Sequence, residues 1–378
     1  MHIPFTHNPY PTVGVELELH VIDAASGDLV NAAVEILEEL GVGHPDGEHP
    51  KAKHELFQST IEIITGVCRT PAEAAADLAG TLAEVRAAAA RRGLTLMSSG
   101  THPFALARDQ RISPNPRYHA LIQEMQWTAR RLLICGTHVH VGVPSGEHSI
   151  LIVNELLRHL PLFLILSSSS PYLEGEDTGL ASSRSKVFES LPTAGLPPKL
   201  HDWADFETFM TTLIASGCIE SVREVWWDVR PHPNFGTVEL RMCDATTTLR
   251  EAQAVAALGQ TLVAHLIDQI DGGTLGPPPR EWSVRENRWL AARHGVAAKL
   301  IVDDQGTRRP AGELLEDLVV ELGPTAARLG TTDDLADALR LWEIGPGYDR
   351  QRRITGAGGS LADVVTSLAR QLETGEPA

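Results

Sequence analysis

From Val13 to Val21 apolar and polar residues alternate: Val13, Val15, Leu17, Leu19 and Val21 are interleaved with Gly14, Glu16, Glu18 and His20. A period of two predicts a strand with one apolar and one acidic face. Ser26-Gly27 then signals a turn, with a hairpin return at 29–30. The same alternation predicts strands over 134–143, 224–230 and 237–243, with turn chemistry at 231–236 between the last two. In the first of these, Val139, Val141 and Val143 oppose His138 and His140.

Helical signals lie between the strands. Thr70-Pro71-Ala72-Glu73 is a capping box with Pro at the first helical position, opening a helix over 70–92 that Gly93 ends. Thr248-Leu249-Arg250-Glu251 is a second capping box, opening 248–270. Further helices are expected at 32–40, 115–133, 149–168 with a bend at Pro161, 204–215, 283–294, 311–322, 332–342 and 360–372. Short strands are expected at 94–99 and 299–302. This order lacks the βαβα rhythm of a doubly wound sheet or a (βα)8 barrel. It predicts an α+β fold with an antiparallel sheet, as a single domain over residues 1–378 with a core over 10–355 and a helical C-terminal tail.

Charge and composition narrow the function. The chain has 378 residues, 32 Lys plus Arg against 49 Asp plus Glu, and a formal net charge of −17. Such an acidic chain has no electrostatic footprint for nucleic acid or an anionic membrane. The apolar stretch 150–170 contains Asn154, Glu155, Arg158, His159 and Pro161, so it reads as a buried core helix rather than a membrane span. Residues 1–12 have no basic and apolar leader pattern. The four Cys (68, 135, 218 and 243) show neither CxxC spacing nor a disulfide framework. A cytoplasmic protein with reduced thiols is the expectation.

Several strands carry chemistry on their polar faces. Glu16 and Glu18 share one face, with Cα atoms about 6.6 to 6.8 Å apart. Such a pair suits Mg²⁺ or Mn²⁺, although an exposed strand edge would look the same. His138 and His140 share a face in Gly136-Thr-His-Val-His-Val-Gly142. They fit a zinc pair, a phosphate contact, an acid–base role, or histidines hydrogen-bonded beside the core. Glu239 and Arg241 share a face, as do Asp228 and Arg230 opposite, which makes either a salt-bridge ladder or an anion grip. Glu55 and Glu62 are an odd number of residues apart, so only a bulge or a turn before Ile61 lets them converge. Trp226 and Trp227 read as wall and core, and Arg350, Arg352 and Arg353 as a solvated turn. Neither a GxxxxGK[ST] loop nor a GxGxxG after a strand is present.

Taken in order, these segments resemble a known family. Gly14-Val-Glu-Leu-Glu18, Glu55 to Glu62, Gly136 to Gly142, Ser182-Ser-Arg184, Trp226 to Arg230 with Thr237 to Arg241, and Glu286-Asn-Arg-Trp-Leu-Ala-Ala292 are similar to the type 2 glutamate–cysteine ligases, or carboxylate–amine ligases. The resemblance implies a glutamine synthetase-like funnel of mostly antiparallel sheet covered by helices. It implies ATP-dependent amide formation through an acyl phosphate, with Mg²⁺ or Mn²⁺ as cofactor. By the same resemblance Glu16, Glu18, Glu55, Glu62 and Glu239 are metal ligands, and His138 and Arg230 lie by metal and phosphate. Arg241 stabilises the transferred phosphoryl group and Arg184 grips a substrate carboxylate. The partners implied are amino acids and ATP, with a homo-oligomer left open. Two alternatives remain: the same chemistry on another acid and amine, or a zinc hydrolase using His138 and His140.

Overall fold

The computed structural model describes residues 2–377. Seven strands form its main sheet: β1 (Val13–Asp23), β2 (Ala52–His54), β3 (Thr60–Ile64), β4 (Leu94–Met97), β5 (Thr137–Gly142), β6 (Val229–His232) and β7 (Thr237–Leu240). Their order is β6-β7-β5-β1-β3-β2, and β4 pairs with the C-terminal half of β1. Every pairing is antiparallel. His20 is paired both with Thr60 of β3 and with Met97 of β4. β4 therefore takes over the edge of β1 that β5 leaves after Leu17.

The helices that matter for the site are α1 (Pro71–Ala90), α2 (Pro116–Met125), α3 (Gly146–Ser167), α4 (Leu249–Asp271), α5 (Glu281–His294) and α6 (Gly347–Gly356). The apolar face of β1 packs on α1 and α4. Leu17, Leu19, Leu78, Leu82, Val139, Val255, Leu258 and Phe163 belong to one continuous buried cluster. Each such side chain stabilises the fold by roughly 1.5–3 kcal/mol. The opposite face of the sheet is left for polar residues, and this division positions the site.

Both helices start where expected, the second with a complete capping box and the first with half of one, because the Glu73 carboxylate takes the Arg69 N–H. The Thr70 hydroxyl accepts the Glu73 N–H, and Thr248 and Glu251 cap each other reciprocally. The apolar stretch is α3, long and apolar enough to cross a membrane but largely buried among the other elements. Pro161 lies inside it.

Three segments differ from expectation. The helix over 115–133 stops at Met125, because Gln126 turns to φ 49°, and only a 3-10 turn at Ala129–Arg131 follows. The strand over 224–230 breaks at Asp228, whose carbonyl accepts the N–H groups of both Arg241 and Met242. As a result the Asp228 carboxylate pairs with Arg288 of α5 while Arg230 turns to Glu239, so the two do not share a face. Residues 350–353 form part of α6 rather than a solvated turn. Arg350 is buried against Glu251, Thr247 and Gln371. The antiparallel pairing also removes the parallel barrel that a zinc hydrolase with an H-x-H pair requires.

Candidate active site

Cross-strand register brings the polar residues together. Glu16 is the Cα partner of His138, and Glu18 of Glu62. His140 pairs with Gly14 on one side and Glu239 on the other, and Glu239 pairs with Arg230. Read across the sheet, the face runs from arginines on β6 and β7, through histidines on β5, to acids on β1 and β3. Lys53 is opposite Glu62, so Glu55, two residues further on, returns to the face of Glu62. The hairpin turn between β2 and β3 thus supplies the convergence that odd spacing alone forbids.

These residues face a cavity of about 930 Å³. Glu16, Glu18, Glu55, Glu62, His138, Arg184, Arg230 and Arg241 all line it. Glu239 is fully buried beneath and meets the cavity through its partners. Sequence reasoning passed over Tyr118, Phe188 and His232, which line it too. His232 was legible as the next alternate position after Arg230. Tyr118 and Phe188 come from helices outside the sheet and left no periodic signal. Trp226 is on the cavity wall and Trp227 in a separate apolar cluster.

The acidic end is held under electrostatic stress. Burial pushes the Glu55 carboxyl up to about 8, and the charges of Glu18 and Glu16 add to this. Burial, then Glu16, Glu55 and Glu18, pushes Glu62 well above the ordinary carboxylate range. Burial also acts to raise Glu16, but the charge of His140 and hydrogen bonds to His138 and His140 outweigh it and hold Glu16 well down. The Glu16 contacts are 2.9 Å to His138 Nδ1 and 3.2 Å to His140 Nε2. Glu18 accepts the Gly136 N–H at 2.5 Å. A Cβ at Gly136 would collide with the Arg184 guanidinium and with His138 Nε2, so only glycine lets strand, arginine and histidine meet there.

The basic end is arranged around Glu239. Its carboxylate takes Arg230 Nε at 2.7 Å and pairs with Arg241. Burial acts to raise it, yet Arg230, Arg241 and His140 together hold it well below the ordinary range. Arg184 differs. Its side chain is buried and makes no ion pair with a carboxylate among the described residues; Nη1 donates to the carbonyls of Arg241 and Met242. The Arg184 N–H bonds Ser170 Oγ, which in turn donates to buried Asp244. Asp244 also takes the Ser182 hydroxyl. Asp244 feels the charge of Arg184, yet no carboxylate among the described residues contacts the guanidinium and its Nε has no hydrogen-bond partner, so the fork can take an anion.

The donor set fits a divalent cation. One atom each from Glu16, Glu62 and His138 lie within 4.8 Å of one another, as do those of Glu18, Glu55 and Glu62, and of Glu16, His140 and Glu239. His138 Nε2 is buried with no hydrogen-bond partner and lies 3.9 Å from a Glu18 oxygen. Burial and the charge of Arg241 lower this imidazole's proton affinity, which leaves the nitrogen lone pair free for a metal. Oxygen-rich donors with one imidazole suit Mg²⁺ or Mn²⁺ better than softer ions.

Comparison with known proteins identifies the family and the fold. The model of "Glutamate-cysteine ligase family 2" matches residues 12–367. The chain belongs to this family. It is therefore a carboxylate–amine ligase of the glutamate–cysteine ligase kind, forming a C–N bond. A protein of Frankia casuarinae described as "Putative glutamate--cysteine ligase 2-1" is 53% identical over all of this chain and 99% of its own. A relative in Thermobifida fusca is 48% identical over 100% of this chain and 95% of its own. The crystal structure of the glutamate–cysteine ligase of Francisella tularensis in complex with AMP has the same fold. Its TM-score is 0.71 at 12% identity, over 98% of this chain and 90% of that one. The α+β architecture read from the strand and helix order is thus the fold of this ligase group.

Proposed function

We propose that this ligase joins the side-chain carboxylate of glutamate to the amine of cysteine, driven by ATP through an acyl phosphate. One observation carries the reading. A carboxylate cluster able to hold divalent cations faces, in a single cavity, the buried Arg184, which makes no ion pair with a carboxylate among the described residues. The AMP in the Francisella ligase is in keeping with a nucleotide cosubstrate. A cytoplasmic setting, where ATP and free amino acids abound, suits the reaction.

The metal ligands would be Glu16, Glu62 and His138 on one side and Glu18, Glu55 and Glu62 on the other. When bound, such ions relieve the repulsion among the acids and neutralise phosphate oxygens as Lewis acids. Glu239 accepts Arg230 and Arg241 on its two oxygens and so orders both; with lone pairs left on each oxygen, it would also complete a ligand set with Glu16 and His140.

In the first step a glutamate carboxylate oxygen attacks the γ-phosphorus of ATP, and the bond to the ADP oxygen breaks. Arg241, fixed by Glu239, offers its guanidinium to the charge on the transferred group. Arg230 and His138 border the phosphates. In the second step the cysteine nitrogen attacks the acyl carbon. The C–N bond forms, the C–O bond to phosphate breaks, and the nitrogen gives up its proton to the departing phosphate. Arg184 holds a substrate carboxylate with the guanidinium fork that no protein carboxylate contacts. The test is purified protein with ATP and Mg²⁺, screened over acid and amine pairs for ADP and product mass. Glutamate with cysteine is expected to give γ-glutamylcysteine; ADP with a different pair would reassign the substrates, and ADP with none would refute the ligase reading.

A further inference from the structure

We propose that Tyr118 is a positioning residue that latches α2 across the mouth of the cavity and keeps water from the activated carboxylate. This rests on the ligase reading above. None of the ten residues of α2 is buried, yet Arg117, Leu121, Glu124 and Met125 line the cavity. The helix is thus a cover rather than part of the core. Beyond its C-terminal end, Gln126 has a positive φ and Trp127 is 61% exposed, and burial resumes only at Ala129.

The attachment is at the other end. Just before α2, Ser113 Oγ donates to the Glu55 carbonyl at 2.5 Å, and the Ser113 N–H donates to Leu56 at 2.9 Å. On α2 itself Tyr118, Leu121 and Ile122 pack against the apolar cluster of Leu56, Phe57, Ala107 and Leu133. Among the described residues, the one side-chain hydrogen bond that α2 donates to the sheet runs from Tyr118 OH to the His54 carbonyl, 2.8 Å. That carbonyl immediately precedes Glu55. The latch therefore ties the cover to the turn that carries one of the candidate metal ligands.

Its chemical consequence is specific. Water that reaches the acyl phosphate attacks in place of the amine, returning the free carboxylate and phosphate, so ATP is consumed without an amide. A cover that closes during turnover suppresses this. The test is the ratio of ADP to amide in Tyr118→Phe, which keeps the packing ring and deletes only the donor. With ATP, Mg²⁺, glutamate and cysteine, wild type is expected to release ADP and amide in equal amounts. The variant should release about fivefold more ADP without amide at a nearly unchanged melting temperature. A purely structural role would lower both products together and leave the ratio alone; an unchanged ratio overturns the latch. If wild type forms no ADP, the ligase reading fails instead. As an independent check, amide hydrogen exchange over residues 116–125 of wild type should slow when ATP, Mg²⁺ and glutamate are added. Exchange indifferent to them overturns the proposal.

Discussion

Glu18 and Glu62 stand directly opposite each other as Cα partners on neighbouring antiparallel strands. Like charges at that position destabilise a sheet, and Glu18 is among the acids that push both Glu55 and Glu62 up. The pair is a cost in the unliganded fold that a divalent cation removes. Replacing Glu62 by Gln is therefore expected to stabilise the metal-free protein by about 0.5–1 kcal/mol while abolishing turnover. Urea unfolding in EDTA measures the first and ADP release the second. A destabilised variant that still turns over would contradict the assignment.

Glu239 behaves in the opposite way. It neutralises two buried guanidinium groups, and removing one member of a buried ion cluster strands the others. Glu239→Gln should lose about 3 kcal/mol of stability as well as activity. Equal stability of variant and wild type would mean that Arg230 and Arg241 find other partners.

Arg184→Lys tests the anion grip. Lysine keeps the charge but loses the planar fork, so KM for the acid substrate should rise about tenfold or more, with a smaller effect on kcat. An unchanged KM for both amino acids and for ATP would remove Arg184 from substrate binding.

The pH dependence has a definite sign. Glu55 is raised to about 8 from the ordinary 4.5, so the folded state holds its proton more tightly than the unfolded state. The stability this gives to metal-free protein is complete below pH 4.5 and is lost as pH rises through about 8. Between pH 5 and 8 the unfolding free energy of wild type should fall relative to Glu55→Gln, by at most about 1.4 kcal/mol per pH unit. Metal must displace that proton, so stabilisation by Mg²⁺ should grow over the same range. Parallel pH profiles of the two proteins would show that Glu55 does not titrate there.

How much of this was legible depended on whether one strand or two carried the signal. The alternation in Val13 to Val21 announced β1 and both its faces, because burial on one side alone leaves a period of two. The strand bearing His138 and His140 followed in the same way. What a single chain segment cannot express is register. The approach of Glu55 to Glu62 depends on which residue of β2 faces Glu62, and the loss of a shared face by Asp228 and Arg230 on one carbonyl that accepts two N–H groups. Arg350 looked solvated because its partners Glu251 and Gln371 are remote in sequence. Tyr118 was silent because the helix that carries it is exposed and covers the site from outside.

The account stands on transfer of the γ-phosphoryl group to a substrate carboxylate. Glutamate labelled with ¹⁸O in its side-chain carboxylate tests this directly, by mass analysis of the phosphate released with ATP, Mg²⁺ and cysteine. One ¹⁸O is expected in each phosphate, because the carboxylate oxygen that attacks phosphorus leaves with it. Unlabelled phosphate accompanying amide formation would contradict the acyl phosphate, and with it the role given to the cavity.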